Sequence, residues 1–160
     1  MPRNMRLSDF FVVYSPKRLW RKLWLSVANL PMFPQTRARV LRWAEVNIEG
    51  RAFIYGGVGI DSVAPNMIYI GEGTAITSGT KILTHYLNTS IPKNKGNYFR
   101  FGEVHIGRNC FIGVNCVICN SVTIGDGVII GAGSVVTKDI PPYQVWAGNP
   151  AHFIKDREKE

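Results

Sequence analysis

Isoleucine or valine returns at every sixth residue through the second half of the chain: Ile106, Ile112, Ile118, Ile124, Ile130 and Val136. No other feature narrows the fold as far. A period of six fits neither the 3.6-residue helix nor the two-residue alternation of a flat strand. It fits a chain that runs straight for a few residues, turns a corner and repeats. Gly107, Gly113, Gly125 and Gly131 directly follow the apolar residue, and Cys110, Cys116, Val122, Val128 and Ser134 stand four places after it. Three such steps close one coil of a parallel β-helix, in which each coil buries the apolar row of the next.

The repeat extends upstream. Ile70, Ile76 and Ile82 keep the spacing, with Thr74 and Thr80 at the small inward position; Ile48, Ile54 and Ile60 form a weaker trace that fails at Asn66. Between Ile82 and Ile106 the in-phase residues are Asn88, Asn94 and Arg100, which cannot make an apolar row. An extended loop near 88–102 is therefore expected, with the coil resuming at Ile106. A loop of that length inside a compact repeat leans towards function. The expected organisation is an N-terminal amphipathic helical segment over 1–46, a β-helix over 47–148 and a tail over 149–160.

At 160 residues the chain is one domain with room for a real core. Its three Cys have no paired spacing, which argues against a disulfide scaffold or a zinc knuckle. Cys110 and Cys116 fall in the inward row and are expected to pack. No stretch approaches the roughly 20 apolar residues of a membrane span, and no secretion signal is evident, so the cytoplasm is the expected location.

A net charge of +8 is concentrated at the front, in Arg3, Arg6, Lys17, Arg18, Arg21, Lys22, Arg37, Arg39 and Arg42. Ser15-Pro16 reads as a helix start. Trp20, Leu23, Trp24 and Val27 then share a face, expected to pack on the coil or on a neighbouring subunit. A peripheral contact with the inner membrane through this basic, Trp-rich helix is the second reading. Pro31 and Pro34 end it, and a short helix over 37–45 should turn Val40, Leu41 and Ala44 inward. Nucleic acid is not an expected partner, since no binding motif accompanies the charge.

Three His limit the choice of a general base. His85 ends a coil strand just before the loop, with a rigid strand behind it, and an imidazole there can take a proton from a substrate hydroxyl. His105 should face away from the core, and His152 lies near the end of the chain. Neither a Gly-x-Ser-x-Gly elbow nor a Cys–His pair supplies a nucleophile. Gly131-Ala-Gly-Ser-Val-Val-Thr-Lys138 keeps large side chains off a groove in which a long ligand could lie close to the backbone. Thr137 and Lys138, with His152 and Lys155 on the tail, offer groups for phosphate.

The stretch from Ile124 through Thr-Lys-Asp-Ile-Pro-Pro (137–142) to Ala-Gly-Asn-Pro-Ala (147–151) resembles the C-terminal signature of the hexapeptide-repeat O-acetyltransferases. The galactoside and maltose acetyltransferases belong to that family, as do acetyltransferases of surface-polysaccharide synthesis. The resemblance is tight over 103–155, looser over 68–86 and absent before about residue 48. It implies an all-β, left-handed β-helix, the hand coming from the resemblance because β crossovers are generally right-handed. It implies a homotrimer with sites between subunits, acetyl-CoA as co-substrate and no metal.

By the same resemblance His85 matches the catalytic base, Phe111 replaces a Trp that walls the acceptor site, and the backbone near Val114 lies along the thioester. Ala132, Thr137 and Lys138 match contacts to pantetheine and phosphates. His152 and Lys155 stand where relatives carry Arg for the adenosine phosphates. The implied chemistry is direct transfer in a ternary complex to a hydroxyl of a sugar or polysaccharide precursor. An amino-group or other small acceptor is the alternative. A γ-carbonic anhydrase-like zinc enzyme and a non-catalytic trimeric scaffold are remoter ones.

Overall fold

The computed structural model describes residues 16–90 and 99–158. Two helices come first, α1 (Pro16–Ala28) and α2 (Pro34–Trp43). A prism of short parallel strands follows. Its first wall stacks β1 (Asn47–Ile48), β4 (Ile68–Ile70), β9 (Val104–Ile106) and β12 (Val122–Ile124). The second holds β2 (Phe53–Ile54), β5 (Ala75–Ile76), β10 (Phe111–Ile112), β13 (Ile129–Ile130) and β15 (Gln144–Ala147), edged by the antiparallel β16 (His152–Asp156). The third holds β3 (Gly59–Ile60), β6 (Lys81–Ile82), β11 (Val117–Ile118) and β14 (Val135–Val136).

The six-residue period is the length of one wall with its corner. Register confirms it: Ile70 lies over Ile48 and under Ile106, while Ile112 lies between Ile76 and Ile130. Most of these isoleucines are entirely shielded from solvent. The small inward row is shielded too and its polar atoms are satisfied. Thr74 Oγ1 donates to the Gly107 carbonyl (2.7 Å) and accepts from the Cys110 N–H (3.0 Å). Cys110 and Cys116 are buried, and desolvation raises both thiol pKa values, so they act as packing residues.

Glycine follows the apolar residue because neighbouring coils touch at the corner. A Cβ on Gly71 would lie 2.6 Å from the Gly107 carbonyl carbon, and one on Gly107 would lie 2.7 Å from the backbone of the coil above. No side chain fits between them.

Two interruptions break the regular coil. Phe53 aligns with Ala75 where Phe111 aligns with Ile129, so the coil leaving Ile60 is four residues longer. The surplus, with a 3-10 turn at Pro65–Met67, explains the lost phase at Asn66. The second is the loop expected over 88–102. Its ends form an antiparallel ribbon, β7 (His85–Leu87) against β8 (Phe99–Phe101), with His85 opposite Phe101. Phe101 is buried at the foot of this ribbon, and the coil resumes in β9, which carries Ile106 as expected. Ile91 to Tyr98 lie outside the described residues.

The helices close the first-coil end. Arg37, buried on α2, donates Nε to the Ala28 carbonyl (2.7 Å), one terminal nitrogen to Ile54 (3.0 Å) and the other to Leu30 (3.1 Å). It thereby caps α1 and ties both helices to β2. The face of α1 differs from the expected one. Trp24, Leu25 and Val27 pack on the core and Ala28 is buried, whereas Trp20 and Leu23 stay half exposed. Ser15, read as the helix cap, lies outside the described residues.

Candidate active site

The corner after the third wall holds the most unusual electrostatics among the described residues. Thr84 and His85 leave β6 there, and Asp61 leaves β3 beside them because Ile60 pairs with Ile82. Asp61 Oδ2 accepts the Thr84 backbone N–H (2.9 Å) and the Thr84 hydroxyl (2.8 Å), and lies 2.6 Å from His85 Nδ1. Its Oδ1 accepts the Val63 N–H at 3.0 Å. Burial pushes this carboxyl's pKa up. The bonds from His85, Thr84 and Val63 outweigh it and hold the pKa at about 2.

An ionised carboxylate only accepts, so His85 Nδ1 carries a proton towards it, and Nε2 is the nitrogen left for a ligand. The ring is placed as well as polarised. Phe101 stacks beside it at 5.6 Å between centroids and Phe99 lies at 5.8 Å. At 23% side-chain exposure His85 remains open to a ligand. A neutral imidazole with an oriented, anion-backed ring can accept a proton from a hydroxyl or amine and release it to a leaving group. The sequence singled out His85 and gave no account of Asp61 and Thr84, which the fold sets against it. The available signal was a lone Asp at the point where the repeat loses phase.

The other candidate residues fall into separate groups. Thr137 and Lys138 follow β14 at the same corner as His85, two coils further along, or about 10 Å at the usual strand spacing. Lys138 Nζ sits over the Trp146 ring, 5.2 Å from its centroid. Val114 and Ala132 lie at the other edge of the third wall, stacked on one another: the Gly133 N–H donates to the Val114 carbonyl at 2.8 Å. Both are exposed, and a Cβ on Gly133 would meet nothing within 4 Å, so the backbone there is open. His152 begins β16 beside Gly148 at that edge, while Lys155 lies further along the second wall opposite Val145. Phe111 points outward from the second wall, 46% exposed.

His105 stands on the first wall, stacked face to face on Tyr69 at 4.4 Å and paired with Glu103 at 3.0 Å. It lines a cleft of about 910 Å³ with Asn66, Phe101, Thr123 and Asp139. Among the described residues no three His, Cys, Asp or Glu side chains gather as a metal site, and no helix is long and apolar enough to cross a membrane.

A family model described as bacterial transferase hexapeptide (six repeats) matches residues 103–138. That segment is thus a hexapeptide repeat, and the chain shares the left-handed β-helix fold of acetyltransferases. A maltose O-acetyltransferase from Clostridium difficile 630 superposes with a TM-score of 0.74 at 27% identity, over 99% of this chain and 94% of its own. A hexapeptide-repeat acetyltransferase from Vibrio cholerae O1 biovar eltor, solved with acetyl coenzyme A, gives 0.75 at 22% identity over 89% and 88%, a likeness of fold. Protein CapG of Staphylococcus aureus is 46% identical over 95 residues, 59% of this chain. That match spans 55%, about half, of CapG's length.

Proposed function

We propose that the protein is an acetyl-CoA-dependent O-acetyltransferase acting on a hydroxyl of a sugar or polysaccharide precursor, with His85 as general base. The observation that carries the reading is the Asp61–His85 pair. It ties Nδ1 of a part-exposed His85 to a carboxylate, at the corner that also carries Thr137 and Lys138. The maltose O-acetyltransferase likeness supports the acceptor class, and the acetyl coenzyme A complex supports the donor.

Donor groups on two edges of the prism support a homotrimer. Ala132 precedes β14 and Thr137 follows it, so roughly 16 Å of extended chain separates them. One ligand along a single edge meets only one group. Copies packed with the Val114–Ala132 edge of one against the His85–Lys138 edge of the next bring both to a shared channel. Pantetheine then runs over the exposed backbone at Val114 and Ala132. Thr137, Lys138, His152 and Lys155 serve the phosphates, and Phe111 walls the acceptor.

In the reaction Nε2 takes the acceptor hydroxyl proton as the oxygen attacks the thioester carbon. A backbone N–H near Val114 stabilises the tetrahedral oxyanion. The carbon–sulfur bond then breaks, and imidazolium returns the proton to the CoA thiolate. Atoms and charge balance without an acyl-enzyme. The test is thiol release from acetyl-CoA with a panel of mono- and oligosaccharides, and with amino sugars and serine for the amino-group alternative. Acetylated sugar and free CoA are expected together. Turnover of amino acceptors alone would move the assignment to N-acetylation, and no acceptor-dependent release from a trimeric protein would overturn it.

A further inference from the structure

The helix α1 has two apolar faces, and the coil accounts for one. Trp24, Leu25 and Val27 pack inward. Leu19, Trp20 and Leu23 are 53%, 50% and 54% exposed. At about 100° per residue, Leu19, Leu23 and Ser26 point away from the coil, with Lys22 on one flank and Trp20 on the other. The linker to α2 adds Leu30 and Phe33, the latter 80% exposed.

The charge around this patch has one sign. Residues 16–44 contain no Asp or Glu, but seven cations: Lys17, Arg18, Arg21, Lys22, Arg37, Arg39 and Arg42. Arg18 and three others have partners within the fold. Arg21 pairs with Glu45, while Arg37 and Arg42 donate to backbone carbonyls. Lys17, Lys22 and Arg39 stay exposed.

We propose that α1 and its linker dock the protein on an anionic lipid surface, with Leu19, Leu23 and Phe33 entering the headgroup boundary and Lys22 and Arg39 meeting lipid phosphates. Exposed leucines without a partner keep apolar area in water, and insertion removes it. Trp20 at the margin suits the interface, and each nearby cation adds attraction to an acidic leaflet. A soluble polyanion would satisfy the cations and leave the leucines wet. A second copy of this chain would bring a like-charged helix against this one. Charge complementarity therefore selects lipid. Because α2 contacts β2 and Arg37 holds α1 over the first coil, the membrane lies at that end of the prism. The docking does not depend on the catalytic reading.

Flotation of the full-length protein with vesicles tests it. Binding is expected to phosphatidylglycerol–phosphatidylcholine vesicles, weakening as salt rises, and not to phosphatidylcholine alone. Leu19→Ser/Leu23→Ser and Lys22→Glu/Arg39→Glu should each cut the bound fraction about tenfold or more, at about fivefold per cation removed. Oligomer mass and far-UV circular dichroism should stay unchanged. Failure to float with the mixed vesicles overturns the proposal. So does heparin binding that survives loss of both leucines, which marks a polyanion site, or a change of mass in the leucine variant, which marks a subunit contact.

Discussion

Asp61 and His85 are 24 residues apart in sequence and 2.6 Å apart in the fold. The pairing of β3 with β6 brings them together, Asp61 following Ile60 as Thr84 and His85 follow Ile82. The coil that carries Asp61 is the only full turn of the prism longer than its neighbours among the described residues, apart from the excursion that begins at His85 itself. The two irregularities of an otherwise periodic structure thus meet at one corner.

Asp61→Asn tests the pair. Asn keeps an oxygen for Thr84 but loses the charge that fixes the His85 tautomer and balances the imidazolium formed in transfer. Turnover should fall by roughly 10², while KM for acetyl-CoA stays within about twofold. A purely structural role would instead lower the amount of folded enzyme and leave its turnover intact, so active-site titration must accompany the kinetics. Asp61→Glu should recover part of the loss.

The same carboxylate predicts an acid limb in stability. Its pKa is about 2 in the fold against an ordinary 3.8, so folding favours the ionised form. The contribution is fully present above about pH 4 and is lost as the pH falls through about 2. With the side chain 4% exposed, solvent screening is slight, and the shift amounts to ~2 kcal/mol. Denaturant midpoints measured from pH 6 to 2 should fall more steeply for the native sequence than for Asp61→Asn.

How much of this was legible beforehand depends on what each feature rests on. The isoleucine row and its glycines are local and periodic, so the coil, its inward Thr and Cys residues and the exposed His85 could be read directly. Asp61 could not, because its role comes from a partner on the neighbouring coil and no motif marks the contact. The face of α1 was misread for a related reason. Periodicity shows which residues share a side but not which of two apolar arcs the coil selects, and Arg37 with Ala28 settles that rotation. Grouping the donor residues by edge likewise needs the wall assignment, which puts Val114 and Ala132 a full wall from Thr137 and Lys138.

His85→Ala removes the proposed base while leaving Phe99 and Phe101 to hold the ribbon. A fall in turnover of roughly 10² to 10⁴ is expected, with acetyl-CoA affinity by calorimetry nearly unchanged. Near-native turnover in the purified variant would end the assignment.

Ala132→Trp probes the donor edge. Ala132 is exposed and its backbone packs against Gly113, so a large side chain projects into the proposed pantetheine channel without entering the core. KM for acetyl-CoA should rise at least about tenfold with the melting temperature held within a degree or so. An unchanged KM would place the cofactor elsewhere.

Gly107→Ala separates the corner from the channel. The added methyl would lie 2.5 Å from the Asp126 carboxylate and 2.7 Å from the Asp126 amide nitrogen and the Gly125 carbonyl carbon. Backbone on one side cannot swing away as a side-chain tip can, so the coils must part locally, at a cost of about 1–3 kcal/mol. Gly133→Ala meets no neighbour within 4 Å but sits at φ +70°, which costs about 1–2 kcal/mol through the backbone alone. Thermal unfolding should therefore rank both below the native protein. Only at Gly107 should the loss be aggravated by Val or Leu in step with side-chain volume, since the strain there comes from the coil above and not from φ.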